Sequence, residues 1–182
     1  MKKNFFLFCF LLCYLAGVNA QTSPKNANDI LKEASQLAAK DKKNVFIIFH
    51  ASWCGWCHKM DNSMNDIAVK KFFDDNFIIR HLVVYESNEK KNLENSGAIE
   101  LLTKYHGNDD GIPYWLIFDK NGNLLADSQI RPPGAGMETK GKNSGCPANE
   151  EEVNYFITVL QKTTTLNKQQ LALIKERFRK NE

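Results

Sequence analysis

Apolar positions along the chain fall into three kinds of stretch, and each predicts a different element. The first is residues 5–15, an unbroken apolar run behind the basic head Met1-Lys2-Lys3-Asn4 and ahead of the small residues Ala16-Gly17-Val18-Asn19-Ala20. That layout predicts a secretory signal peptide over 1–20, cut after Ala20. Even residues 5–18 fall short of the ~18–20 apolar residues that span a bilayer, so no stable membrane insertion is expected after cleavage. Cys9 and Cys13 follow bulky Phe8 and Leu12, which argues against lipid attachment.

The second kind is helical spacing. After a polar, flexible leader over 21–27, Asn28 is the expected cap of a helix carrying Ile30, Leu31, Ala34, Leu37 and Ala38. Met60, Met64, Ile67, Ala68, Phe72 and Phe73 predict one helix running down to Asp74-Asp75-Asn76. Residues 98–105 predict another. Asn149 should cap a helix with Glu150, Glu151 and Glu152 in its first turn, where the helix dipole favours acids. A last helix starts near Asn167 and turns Leu171, Ile174 and Phe178 to one side.

The third kind is the short continuous run. Val45-Phe46-Ile47-Ile48-Phe49 predicts a strand buried on both faces. Phe77-Ile78-Ile79 with Leu82-Val83-Val84-Tyr85 predicts a second central strand, and Tyr114-Trp115-Leu116-Ile117-Phe118 a third. Asn121-Gly122 marks a hairpin turn into Leu124-Leu125-Ala126. Residues 131–147, rich in Pro, Gly and Ser, predict a long loop. Strands alternating with helices and closing in a hairpin predict an α/β protein: a three-layer α/β/α sandwich on a central mixed sheet, with extra N- and C-terminal helices. The domain is expected over 28–163 and a C-terminal helical extension over 164–182.

Composition changes this picture little. A chain that is 43% hydrophobic and 25% charged is neither collagen-like nor wholly disordered. The net charge of +3 falls to 22 basic against 21 acidic residues once Lys2 and Lys3 leave with the signal segment. Near-neutrality gives no electrostatic case for a nucleic-acid or anionic-membrane partner. Three cysteines remain after cleavage: Cys54, Cys57 and Cys146.

The candidate chemistry sits at Cys54-Gly55-Trp56-Cys57, between a buried strand and the start of a helix. Unpaired backbone N–H groups and the helix dipole there favour thiolate over thiol. The thiol pKa of Cys54 should fall from ~8.5 into the roughly 3.5–7.5 range of such motifs. Cys57, one turn on, is the natural resolving thiol, and Gly55 in the active-site loop leaves no charge between the sulfurs. Other readings stay open. The pair could be half of a zinc site, although no second Cys or His pair has matching spacing. It could also be a structural disulfide, a soft Cu(I) site of a metallochaperone, or the relic of a non-catalytic binding module. Cys146, in the Gly/Pro loop, reads as a buried inert thiol by default, with a reactive thiol or an intermolecular bridge as alternatives.

Two segments resemble the thioredoxin superfamily. The first, Phe49-His50-Ala51-Ser52-Trp53-Cys54-Gly55-Trp56-Cys57-His58-Lys59-Met60, resembles its W-C-x-x-C block. The second, Gly111-Ile112-Pro113-Tyr114-Trp115-Leu116-Ile117-Phe118-Asp119-Lys120-Asn121-Gly122, resembles the block that carries its cis-proline, a strand and a hairpin. The resemblance spans roughly 44–163 and is nearest to exported thioredoxin-like thiol:disulfide interchange proteins. It implies a thioredoxin-like fold, Cys54 as attacking and Cys57 as resolving thiol, Pro113 as the cis-proline, and Ile112 offering its backbone to a substrate strand. Trp53 and Trp56, otherwise core aromatics, become a substrate platform. The chain departs from the pattern at Ile48, where thioredoxin has a buried Asp that helps deprotonate the resolving thiol. His50, two positions on, is either a proton relay or a hydrogen-bonded structural histidine. Glu86 is the nearest acidic candidate by topology and otherwise a solvated loop charge.

Together these readings predict an exported thiol–disulfide oxidoreductase, periplasmic or secreted, using the redox-active disulfide Cys54–Cys57 and no other cofactor or metal. Its partners would be cysteine-containing envelope or secreted proteins and a redox partner protein. A reductant dedicated to one partner, as in cytochrome maturation, is the nearest alternative.

Overall fold

Residues 45–49 carry no polar position to turn toward water, and the chain accordingly buries them on both sides. The computed structural model describes residues 23–182, so the signal peptide expected over 1–20 lies outside the described residues. Strand β1 (Asn44–His50) pairs in parallel with β2 (Phe77–Val83) and antiparallel with β3 (Tyr114–Phe118), which pairs antiparallel with β4 (Leu124–Asp127). The sheet order is β2-β1-β3-β4. β2 is therefore an edge strand and not the central one its apolar content predicts. Arg80 and His81 interrupt that content, and the strand's middle residues are half-buried.

One face of the sheet is covered by α1 (Ala27–Asp41) and α4 (Ala98–Lys104), whose Ala34, Ala38, Ala98 and Leu102 meet Val45, Ile47, Phe49, Tyr114 and Leu116. The other is covered by α2 (Gly55–Met64), α3 (Lys70–Asn76), α5 (Glu150–Thr163) and α6 (Lys168–Arg179), packed on Phe46, Ile48, Trp115 and Ile117. A 3₁₀ turn over Asn88–Leu93 follows β2. The three-layer thioredoxin-like sandwich on a mixed sheet is thus the observed architecture.

Local chemistry explains where elements begin and end. The cap of α1 lies two residues before the expected one, because the Asn26 side chain accepts the Asn28 N–H at 2.9 Å while its amide donates to Ser96. Ala27, expected in the leader, is the helix's first residue. The helix expected over 60–76 is two. The Asp66 carboxylate accepts the Ala68 N–H and the Asn65 amide donates to the Asp61 carbonyl, side-chain bonds that compete with helix continuation. Ile67, expected on the inward face, lies in solvent. Asn149 and Asn167 each close a capping box, with Glu152 and Gln170 respectively. The loop expected over 131–147 holds half of a small ladder, β5 (Gln129–Ile130) paired with β6 (Lys142–Asn143).

Helix α6 shares the main core. Phe178 is fully buried, with its ring centroid 4.9 Å from that of Phe156 and 6.2 Å from that of Phe73. Phe178→Ala should therefore cost about 3–5 kcal/mol, read as a lowered urea midpoint in a single unfolding transition.

Candidate active site

Strand β1 ends at His50, and residues 51–54 turn the chain into α2. Cys54 is the N-cap residue and its Sγ accepts the Cys57 N–H at 3.1 Å. A helix leaves its first N–H groups without intrahelical partners, and here a sulfur takes one of them. Gly55, expected in a loop, is the first residue of α2, and a Cβ there would meet nothing within 4 Å. The two sulfurs are joined, 2.01 Å apart, with Cα atoms 5.3 Å apart.

The turn before Cys54 is clamped from the segment that leaves β2. Glu86 is only 5% exposed, and its carboxylate accepts the Ser52 N–H at 2.5 Å and the Ser52 hydroxyl at 2.8 Å. Lys90 reaches the same hydroxyl, and the His58 ring bonds the Ser52 carbonyl at 3.1 Å. The Trp53 indole N–H donates to the Tyr85 carbonyl at 2.7 Å. Burial opposes ionisation of Glu86, but the two bonds from Ser52, with Lys90 and His50 nearby, outweigh it and hold the carboxyl below its ordinary range. The solvated-loop reading of Glu86 is corrected by this geometry. Composition alone carried no signal that an acid after β2 would fold back onto the cysteine turn.

The second segment arrives from β3. The Ile112–Pro113 peptide is cis, and the Ile112 carbonyl oxygen lies 3.6 Å from Cys54 Sγ. Ile112 packs on the small cluster of Ala51, Cys54 and Cys57. Gly111 supplies a φ of +74°, which few other residues tolerate. The Asn143 amide donates to the carbonyls of Asp110, Gly111 and Pro113 at 3.1–3.2 Å. Buried Gln129 ties this turn further, donating to Asp110 and to the His106 carbonyl. Neither Asn143 nor Gln129 belongs to a motif or a periodic stretch, so sequence reasoning passed over both.

Trp53 and Trp56 are 61% and 48% exposed, while Cys54 and Cys57 are 3% and 1% exposed. Lys59 lies over the Trp56 ring, 4.2 Å from its centroid. An open groove of about 440 Å³ runs from Trp56, Ile112 and Pro113 to Gly145 and Cys146. Cys146 is free and buried, Asn181 approaches its sulfur at 3.4 Å, and burial pushes its thiol up to about 12. His50 makes no ring hydrogen bond with the described residues; its ring stands edge-on to that of His81, 4.9 Å between centroids. Among the described residues no group of three or more His, Cys, Asp or Glu side chains is placed to hold a metal. No helix of the described residues is long and apolar enough to cross a membrane.

A cysteine pair at the mouth of a helix, faced by a proline turn on a mixed sheet, defines a thioredoxin-fold dithiol/disulfide protein. The chain belongs to the thioredoxin-like family, whose model matches residues 26–120. Solved structures with a similar fold include a disulphide isomerase from Xylella fastidiosa Temecula1, 21% identical, covering 59% of this chain and 77% of that one with a TM-score of 0.47. The oxidoreductase DsbH is 20% identical over 76% of this chain and 83% of its own, TM-score 0.42. A thioredoxin from Thermus thermophilus is 15% identical over 77% and 87%, TM-score 0.42. These likenesses concern the fold alone. No curated protein sequence matches the chain. The chain has a thioredoxin-like thiol–disulfide oxidoreductase fold with a Cys54–Cys57 pair.

Two outcomes follow from the clamp and the shielded thiol. Glu86→Ala removes both charge-assisted bonds from Ser52 and should cost about 1–3 kcal/mol. Because the folded pKa of Glu86 lies below its ordinary 4.5, its contribution is present above that pH and is lost as pH falls through the folded value. Acid unfolding of the wild type should steepen there relative to the variant. Cys146 should resist iodoacetamide at pH 8 in the native protein and react once urea unfolds it.

Proposed function

We propose that the chain is an exported thiol–disulfide oxidoreductase that exchanges disulfides with cysteines of envelope or secreted proteins. The observation that carries this reading is Cys54 at the N-cap of α2, its sulfur already accepting a backbone N–H. When the pair is reduced, that bond and the helix dipole stabilise negative charge on Cys54. The thiolate attacks a substrate disulfide, a mixed disulfide forms, and Cys57 displaces the substrate by attacking Cys54 Sγ. The substrate disulfide gains two electrons and the dithiol loses two, so no further cofactor is needed.

Exposed Trp53 and Trp56 and the Ile112–Pro113 turn flank the nearly buried Cys54. In this reading they receive the substrate chain, Ile112 through its backbone. Export rests on the sequence of residues 1–20, and it suits the chemistry because disulfides persist outside the cytoplasm. Envelope or secreted proteins as substrates, and a redox partner that resets the dithiol, follow from that location.

Insulin reduction with dithiothreitol tests the reading. The wild type should accelerate precipitation of the insulin chains, and Cys54→Ser should abolish the acceleration. Cys57→Ser should instead accumulate a mixed disulfide that dithiothreitol releases. Thiolate absorbance of the reduced protein should show Cys54 titrating below the ordinary ~8.5. A wild type without insulin reduction would overturn the proposal.

A further inference from the structure

The exchange step leaves one proton unassigned. Cys57 is 1% exposed, and it must lose its proton before it can attack. Ile48, on the face of β1 that packs against α2, is apolar and takes no proton. The polar groups on that side of the sheet lie at the end of the same stripe. Phe46, Ile48 and His50 alternate onto one face of β1, and Phe46 and Ile48 pack with Met60 and Met64 of α2. Cys57, Met60 and Met64 form the buried stripe of α2 at helical spacing. Because β1 and β2 are parallel, α2 must run back along β1. Matched in that direction, the Met64–Met60–Cys57 stripe sets Cys57 toward the His50 end of the strand.

His50 does not stand alone there. His81 lies opposite Ile48 in the parallel register and so shares the face. Its ring meets that of His50, and its Nε2 is 2.8 Å from the Asp61 carboxylate of α2. The titratable groups that face His50 are His81 from β2, His58 and Asp61 from α2, and Glu86 from the segment after β2. Burial first, then His81, lowers the pKa of His50 from its ordinary 6.5, against the pull of Asp61 and Glu86. Its imidazole is therefore neutral at pH 7, with a nitrogen lone pair free to accept.

Resting on the disulfide-exchange reading above, we propose that His50 is the base that takes the proton from Cys57 as the Cys54–Cys57 bond closes. His81 and Asp61 position it. In this step a ring nitrogen of His50 takes the Cys57 proton and Cys57 Sγ bonds to Cys54 Sγ. The Cys54–substrate bond breaks and the substrate leaves as thiolate. In the reverse direction His50 returns the proton to Cys57.

Stopped-flow reaction of the reduced full chain with an aromatic disulfide separates the steps, since Cys54 releases the first thiolate and closure by Cys57 the second. In the wild type the second phase should be flat above pH 6.5 and slow below it. In His50→Gln it should be at least tenfold slower at pH 7 and rise about tenfold per pH unit, with the first phase within twofold of the wild type. A second phase in His50→Gln with the wild-type rate and pH profile overturns the role. Should that variant fail to fold, NMR titration of His50 in the wild type decides: different midpoints in the oxidised and reduced protein support the coupling, and identical ones overturn it. If insulin reduction fails while the two phases behave as stated, the physiological function falls and the proton step stands. The converse removes His50 alone.

Discussion

Everything at the site depends on where the first turn of α2 points its unpaired N–H groups. A helix mouth offers electropositive potential only within its first turn, so the cysteine must be held at the N-cap, not near it. Cys54 occupies that position because the chain between β1 and α2 is pinned at Ser52 by Glu86, at the Ser52 carbonyl by His58, and at Trp53 by the Tyr85 carbonyl. Each of these bonds reaches across from another part of the fold or from the helix itself. The redox pair is thus local in sequence, while its placement is long-range.

The opposite wall of the site is built the same way. A proline turn has no regular partner strand, and its carbonyls would be exposed to competition from water. Here Asn143 of β6 donates to the carbonyls of Asp110, Gly111 and Pro113, and Gln129 of β5 holds the Asp110 carboxylate. The Trp115 indole donates to the Gly145 carbonyl and fastens the groove's far side to the central sheet. The Arg131 guanidinium forks onto the buried Asp127 carboxylate at 2.8 and 2.6 Å, which anchors the ladder's own base. The Gly/Pro-rich segment is therefore a frame for Ile112–Pro113, although it has almost no apolar side chain to bury.

Strong, unbroken patterns were legible in the residues. The apolar run of β1, the capped starts of α5 and α6 and the Asn121–Gly122 hairpin follow from local physics, because burial on both faces, a side-chain acceptor for the first N–H groups and a positive φ are each met by neighbouring residues. Weaker patterns misled. Six apolar residues at helical spacing suggested one helix over 60–76, and two polar side chains at 65 and 66 were enough to break it. Phe77 to Val83 is apolar enough for a central strand, yet it takes the edge, where Arg80 and His81 keep partial access to water.

The amino-acid order by itself determined the α/β alternation, the cysteine pair at a strand-to-helix junction and an apolar residue, Ile48, six positions before Cys54, since all three are properties of neighbours along the chain. Only the tertiary structure decided that Glu86 would be a buried clamp, that Asn143 would hold the proline turn and that His50 and His81 would meet beneath α2. Those partners are separated by 30 to 34 residues, and hydrogen bonds and ring contacts between them exist only after hydrophobic burial has brought the segments together. No local propensity encodes such distances, because the free energy that closes them comes from the core and not from the residues that use it.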